Sequence, residues 1–220
     1  MKQFSLLLTG VLLIFLASCK KENNTGNVGF RLTTTNRTAQ VAGRVSSVSI
    51  TWTAGHVFAD KVEFEAEKDD EFEISYEGRV RRKIDLFTSV PQQLTNITIP
   101  PGKYDEIGIE IDISNSTTDT AFVLRGTYNN NGQIIPVLFF INELVELEAE
   151  AENVVVNDNN DFQALTTFNL SQLTAGVTAS LLNTATLTNG ILVVSKTSNQ
   201  IIYNKMIDNL DDMDDVEIDD

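Results

Sequence analysis

Few side chains in this 220-residue sequence could carry covalent chemistry: it holds one histidine, His56, and one cysteine, Cys19. A Ser-His-Asp arrangement around His56 is formally available, but the Gly-x-Ser-x-Gly turn that presents a nucleophilic serine is missing. A zinc site would have to rest on carboxylates almost alone, against that metal's preference for nitrogen and sulfur. Carboxylates are plentiful, 31 in all, and glycoside hydrolysis needs only a pair of them. Nothing in the sequence singles out such a pair. Asn157, Asn159 and Asp161 have the alternate spacing of a calcium loop. Phe162 stands where that loop needs glycine and Phe168 where it needs glutamate, so a turn is the better reading. His56 follows Gly55 and reads as an exposed loop residue. Trp52 could stack on a sugar, but a single tryptophan in a β domain is more often core. No catalytic residue, metal site or cofactor follows from these residue types, and the expectation is a protein that is not an enzyme.

The cysteine has a different meaning. Met1-Lys2-Gln3 gives a short positive start, and Phe4 to Leu16 carries no charge. That run is too short to cross a bilayer as a helix and has the length of a secretory h-region. It ends in Leu16-Ala17-Ser18-Cys19, which resembles a bacterial lipobox. The resemblance implies removal of residues 1–18 as a signal peptide and a diacylglyceryl group, with a further acyl chain such as palmitate, on Cys19. Two or more chains anchor stably where one does not. The alternative is an ordinary signal with a spare thiol, which in an exported protein invites unwanted pairing. Residues 19–27 then form a polar, lipidated, flexible tether. Similar tethers occur in Bacteroidota-type outer-membrane lipoproteins, where acidic residues favour surface display. Here Lys20 and Lys21 precede a single acid, Glu22, so cell surface and periplasmic face both remain open.

The formal charge is −15, and the eight acids from Asp208 onward supply just over half of it. So acidic a chain lacks the basic face that nucleic acid demands and has no electrostatic reason to dock on anionic lipid. Residues 208–220 read as a solvated, disordered acidic tail that could collect cations loosely.

From Val28 onward the main signal is alternation. Val62, Phe64 and Ala66 interleave with glutamates; so do Phe72, Ile74 and Tyr76 with polar residues, and Ile107, Ile109, Ile111 and Ile113 with Gly108, Glu110 and Asp112. Period two describes a sheet with one dry and one wet face. Further strands are expected at 29–34, 45–53, 80–87, 121–128, 134–141 and 163–169, divided by Asn, Asp, Gly and Pro. A hairpin turning at Glu77-Gly78-Arg79 would pair Tyr76 with Val80, Phe72 with Ile84 and Glu73 with Lys83. The bases Arg79, Arg81, Arg82 and Lys83 read as partners of acidic strands. Residues 143–152 have helix-forming composition, yet Val145, Leu147, Ala149 and Ala151 alternate with glutamates, and a strand is chosen. Beyond Leu170 the period lengthens. One or two short helices are expected within 170–185, a strand at 191–194, and a last helix over 199–213 with Ile201, Ile202, Met206 and Leu210 on one stripe, fraying after Leu210 because acids there oppose the helix dipole.

The segment from Ile84 to Ile113 carries Asp85-Leu86 and then Ile99, Pro100, Gly102, Tyr104 and Ile107. This Ile-Pro-x-Gly-x-Tyr-x-x-Ile pattern resembles a signature of uncharacterised Bacteroidota-type surface lipoproteins. The resemblance implies an immunoglobulin- or transthyretin-like sandwich, with the tyrosine ring over a sheet edge, and covers roughly residues 28–142. Asp119-Thr120-Ala121 resembles the Asp-Thr-aliphatic O-glycosylation site of such proteins and makes Thr120 a candidate for it.

The expectation is a mainly β, antiparallel β-sandwich over residues 28–207 with a few short C-terminal helices. Two lobes parting near 153–161 are the alternative organisation. The expected role is a non-catalytic binding or adhesion module held at the outer membrane by the lipid on Cys19, taking a glycan or protein ligand and no nucleic acid. A structural subunit of an envelope or fimbria-like assembly is the alternative.

Overall fold

The computed structural model describes residues 26–41, 48–68, 72–90, 92–157, 161–211 and 216–219. In chain order the strands are β1 (Gly26–Thr35), β2 (Thr38–Gln40), β3 (Val48–Lys68), β4 (Phe72–Asp85), β5 (Gln92–Ile99), β6 (Gly102–Ile113), β7 (Phe122–Asn130), β8 (Gln133–Ile141), β9 (Val145–Val156), β10 (Asp161–Asn169), β11 (Leu187–Thr188), β12 (Ile191–Val194) and β13 (Val216–Asp219). The helices are α1 (Leu170–Leu173), α2 (Ala179–Thr184) and α3 (Gln200–Asp211). The chain is mainly β, with sheets packed as a sandwich and a few short helices near its end.

The small sheet has the order β13-β10-β1-β5, and the large one runs β11-β12-β8-β7-β3-β6-β9 with β2 and β4 also on β3. Antiparallel pairing dominates, but β1 lies parallel to β10, and β8 to β12. The 21-residue β3 organises the large sheet. Along one side it pairs first with β2 and then with β4; along the other, first with β7 and then with β6. The changeover on the second side comes at Phe58, whose N–H donates to the Ala121 carbonyl at 2.8 Å while its own carbonyl accepts from the Ser114 N–H at 3.1 Å. A bulge between Ala59 and Lys61 re-aims the strand there. The large sheet therefore has an upper half, built on residues 48–57 with β7 and β8, and a lower half, built on residues 59–67 with β6 and β9.

One hydrophobic core joins both halves to the small sheet, so the two-lobe organisation does not hold. Val62, Phe64, Ala66, Ile109 and Ile111 face it from the lower half, and Ile50, Trp52, Phe122, Leu124 and Phe139 from the upper. Phe122 packs edge-on against Phe139 at 5.9 Å and against Phe168, the penultimate residue of β10, at 5.8 Å. Trp52 is therefore core, not a sugar platform, although its Nε1 finds no acceptor among the described residues. β9 belongs to the large sheet and β10, the next strand in the chain, to the small one.

Local chemistry sets the turns. Asn131-Gly132 and Asn189-Gly190 both take positive φ and close two-residue hairpins, β7 to β8 and β11 to β12. Asn169 caps α1, its Oδ1 accepting from the Ser171 N–H at 3.3 Å, and Thr178 caps α2 in the same way. Residues 145–156 form a strand, as their alternation predicts. In α3 the buried stripe is Ile202, Tyr203, Met206 and Leu210, whereas Ile201 is 67 % exposed. A stripe needs steps of three or four residues, and Ile201 falls one step off it.

Several expectations are corrected. The hairpin at Glu77-Gly78-Arg79 does not form: β4 runs through Gly78 and pairs along its length with β3, placing Tyr76 opposite Phe64. The longer pairing offers a continuous ladder to an already buried strand. Lys83 consequently meets Asp119 at 3.3 Å rather than Glu73. Tyr104 is fully buried on an inner strand instead of covering an edge, and its hydroxyl donates to the Pro100 carbonyl at 2.6 Å, closing the Pro-Gly turn onto the core. The tail is not disordered throughout: Asp208 and Asp211 belong to α3, and Val216–Asp219 pairs antiparallel with β10, as the alternation of Val216 and Ile218 with acids allows. Residues 1–25, with the signal segment, Cys19 and most of the tether, lie outside the described residues. No helix among the described residues is long and apolar enough to cross a membrane.

Candidate binding face

The outer face of the large sheet gathers most of the protein's unusual chemistry. In the lower half, inward Val62, Phe64 and Ala66 force Glu63, Glu65 and Glu67 outward. The register of β6 and β9 continues each position into a row: Lys61–Asp112–Glu146, Glu63–Glu110–Glu148, Glu65–Gly108–Glu150 and Glu67–Glu106–Glu152. Gly108 sits where a side chain would otherwise stand, and a Cβ added there meets nothing within 4 Å. The gap opens a groove of about 220 Å³ walled by glutamates of all three strands.

Like charges directly opposite one another on a sheet repel. Among the described residues only Glu63 and Asp112 of these rows enter ion pairs, both with Lys61, at 3.3 Å for Asp112. Hydrogen bonds from Lys61 to Glu63 and to Asp112 hold that ammonium charged well above the ordinary lysine range. Elsewhere in the rows no ion pair relieves the repulsion among the described residues. Glu150 first, then desolvation, Glu67 and Glu152, push the carboxyl of the exposed Glu106 above its usual range. Glu110 is also raised, first by burial and then by Glu63, Asp112 and Glu146. One oxygen from each of Glu110, Asp112 and Glu146 lies within 4.8 Å of the others, a spacing that a metal ion could use. Lys61 already supplies positive charge at that corner.

The upper half differs. His56 lies within β3, opposite Asp85 of β4 and Val123 of β7. It is half-buried in a strand and not on an exposed loop, because Gly55 continues the ladder instead of turning the chain. Burial first, then the nearby Lys83, hold its pKa below the ordinary value, with Arg125 adding to this and Asp119 and Asp85 opposing it. The bases of β4 partly meet acids as expected: Arg81 lies 3.6 Å from Asp60, and Lys83 pairs with Asp119.

Thr120 is half-buried in the connection between β6 and β7, beside buried Ala121, and so less open than a turn before Phe122 suggests. Asn157 ends exposed just after β9 and Asp161 begins β10, while residues 158–160 between them are outside the described set. The acid rows and Arg125 were not singled out by the sequence. Each acidic strand is visible by itself, but β3, β6 and β9 are far apart in the chain and only their register makes a face.

No family model, curated protein or solved structure matches this chain.

Proposed function

We propose that this chain is a lipid-anchored, non-catalytic module of the bacterial envelope that binds a basic segment of a protein partner on the lower half of its large sheet. The observation that carries the reading is the set of glutamate rows on β3, β6 and β9, only partly neutralised by Lys61 and interrupted at Gly108 by a groove. A sheet that served only the fold would place opposite charges across its strands. A cationic partner would relieve that repulsion and raise its own association rate by steering. The anchor rests on the lipobox-like Leu16-Ala17-Ser18-Cys19, and the outer membrane is its proposed location.

Binding of an oligolysine peptide tests the face. Affinity should fall steeply with salt and be lost in Glu65→Lys/Glu150→Lys, while Asn115→Lys, in the loop between β6 and β7, leaves it intact. Equal binding by both variants would overturn the assignment. Protease treatment of whole cells carrying native protein or Cys19→Ala tests the anchor: release of the variant from the membrane is expected. The second reading, a subunit of an envelope assembly, draws on β9, whose outer edge is unpaired among the described residues. Concentration-dependent self-association abolished by proline in β9 would favour it.

A further inference from the structure

The upper half of the same outer face holds a second cavity, of about 180 Å³, lined by Ala54, His56, Lys83, Asp85, Val123 and Arg125. Three strands build it. His56 of β3 stands between Asp85 of β4 and Val123 of β7, and Ala54 stands opposite Arg125. The small Ala54 side chain leaves the space open.

The acids here are occupied and one base is not. The Asp85 Oδ1 accepts the Phe87 N–H at 2.8 Å, and Asp119, just outside the cavity, accepts from Lys83 at 3.3 Å and from the Thr118 hydroxyl at 3.1 Å. Arg125 is exposed and makes no ion pair among the described residues. A guanidinium with its fork unused, beside an imidazole, suits a planar oxyanion that can take two parallel hydrogen bonds. With Asp85 on the rim and Lys83 shared with Asp119, the surplus of positive charge is small and fits a monoanion better than a phosphate dianion. Val123, and Phe140 next to it in the register, add an apolar flank.

We propose that this cavity binds a small organic carboxylate, its oxygens held by Arg125 and His56 and its carbon body lying against Val123. The site is independent of the glutamate rows, lying where β3 pairs with β7 and not with β6. A bound carboxylate next to the imidazole favours the imidazolium. Binding therefore takes up a proton, opposing the effects of burial, Lys83 and Arg125 on His56, with Asp85 and Asp119 contributing in the same sense as the ligand.

His56 is the only histidine, so its ring signals in an NMR titration of the full chain report on this site alone. Glucuronate and butyrate are the probes, with chloride at matched ionic strength as reference. The His56 midpoint should rise by about one pH unit at saturation, equivalent to about tenfold tighter binding to the protonated form. Glucuronate as the stronger probe would indicate a sugar acid, butyrate an aliphatic acid. Arg125→Gln should abolish the rise and Arg125→Lys should restore part of it; Arg125 is exposed, so neither should disturb folding. An unmoved midpoint, a rise that survives Arg125→Gln, or an equal rise with sulfate would overturn the proposal.

Discussion

The upper and lower halves of the large sheet share a strand and a core but present different outer faces. Below the bulge at Ala59, β3 faces outward with Glu63, Glu65 and Glu67 among further acids. Above it, the same strand shows His56 beside Val123, with Arg125 and Lys83 near by. The inner face does not change character: Trp52 and Phe122 above, and Phe64 and Ile111 below, are all almost fully buried. Burial thus fixes one face of β3 along its whole length and leaves the other free to diverge. The divergence is where binding chemistry is to be sought.

The largest effects should show what the halves share. Phe64→Ala and Phe122→Ala each remove a fully buried ring, one from each half, and each should lower stability by about 3–5 kcal/mol. Urea unfolding should remain a single transition in both variants, because one core spans the halves. Two separate transitions would break that view. A smaller pair of substitutions should separate the halves by sign. A Cβ on Gly126 would lie 2.3 Å from the Thr51 carbonyl oxygen and 3.0 Å from the Trp52 Cα, both backbone atoms. Gly126→Ala should therefore cost about 1–3 kcal/mol, as overpacking does. Gly108→Ala meets no atom and should stabilise by about 0.5–1 kcal/mol, while narrowing the groove and weakening oligolysine binding. Thermal melts of both variants check the pair, and a destabilised Gly108→Ala would mean that the groove is not open.

These glycines also explain what the sequence could and could not disclose. The lower half was legible because its strands are dry on one side and charged on the other, so Val62–Glu67, Ile107–Ile113 and Val145–Glu152 alternate cleanly. The turns at Asn131-Gly132 and Asn189-Gly190 belong to a dipeptide that favours positive φ on both residues. Lone glycines misled. Gly55 and Gly78 suggested turns, yet both continue strands. At Gly55 an added Cβ would come within 2.5 Å of Leu124 Cδ2, and at Gly78 the Tyr76 ring lies across the space. A glycine inside a strand can mark close approach instead of a bend, and only the tertiary neighbour decides which. With Gly55 read as a turn, His56 moved to a loop and its cavity with Arg125 was hidden. The glutamate rows were hidden for a different reason: cross-strand register among β3, β6 and β9 is a long-range property.

The smallest effects concern protons, and here the halves should oppose each other. In the lower half the folded-state pKa values of Glu106 and Glu110 lie above the ordinary 4.5. The folded protein then takes up protons more readily than the unfolded chain, so this half gains stability as pH falls from neutrality, and the gain is complete below 4.5. In the upper half His56 has a folded pKa below 6.5. The unfolded chain now takes the proton more readily; the contribution of His56 is fully present above 6.5 and is lost as pH falls through its folded value. Asp119 and Glu143, held below the ordinary range chiefly by Lys83 and Lys196, contribute losses only in stronger acid. Urea midpoints measured from neutrality down to the ordinary carboxylate range should therefore carry contributions of opposite sign from the two halves in the native protein. Glu106→Gln/Glu110→Gln should raise stability at neutral pH and leave a net loss on acidification; His56→Gln should leave a net gain. Salt separates the causes. The shift at Glu106 comes first from the charge of Glu150 and is screened, because at 1 M the Debye length is only about 3 Å. The shift at His56 comes first from burial, which salt does not remove. Glu110, raised first by burial, must be removed from the comparison. If concentrated salt flattened the Glu106→Gln/Glu110→Gln profile as fully as that of His56→Gln/Glu110→Gln, charge and not burial would govern His56 as well as Glu106, and the distinction between them would fail.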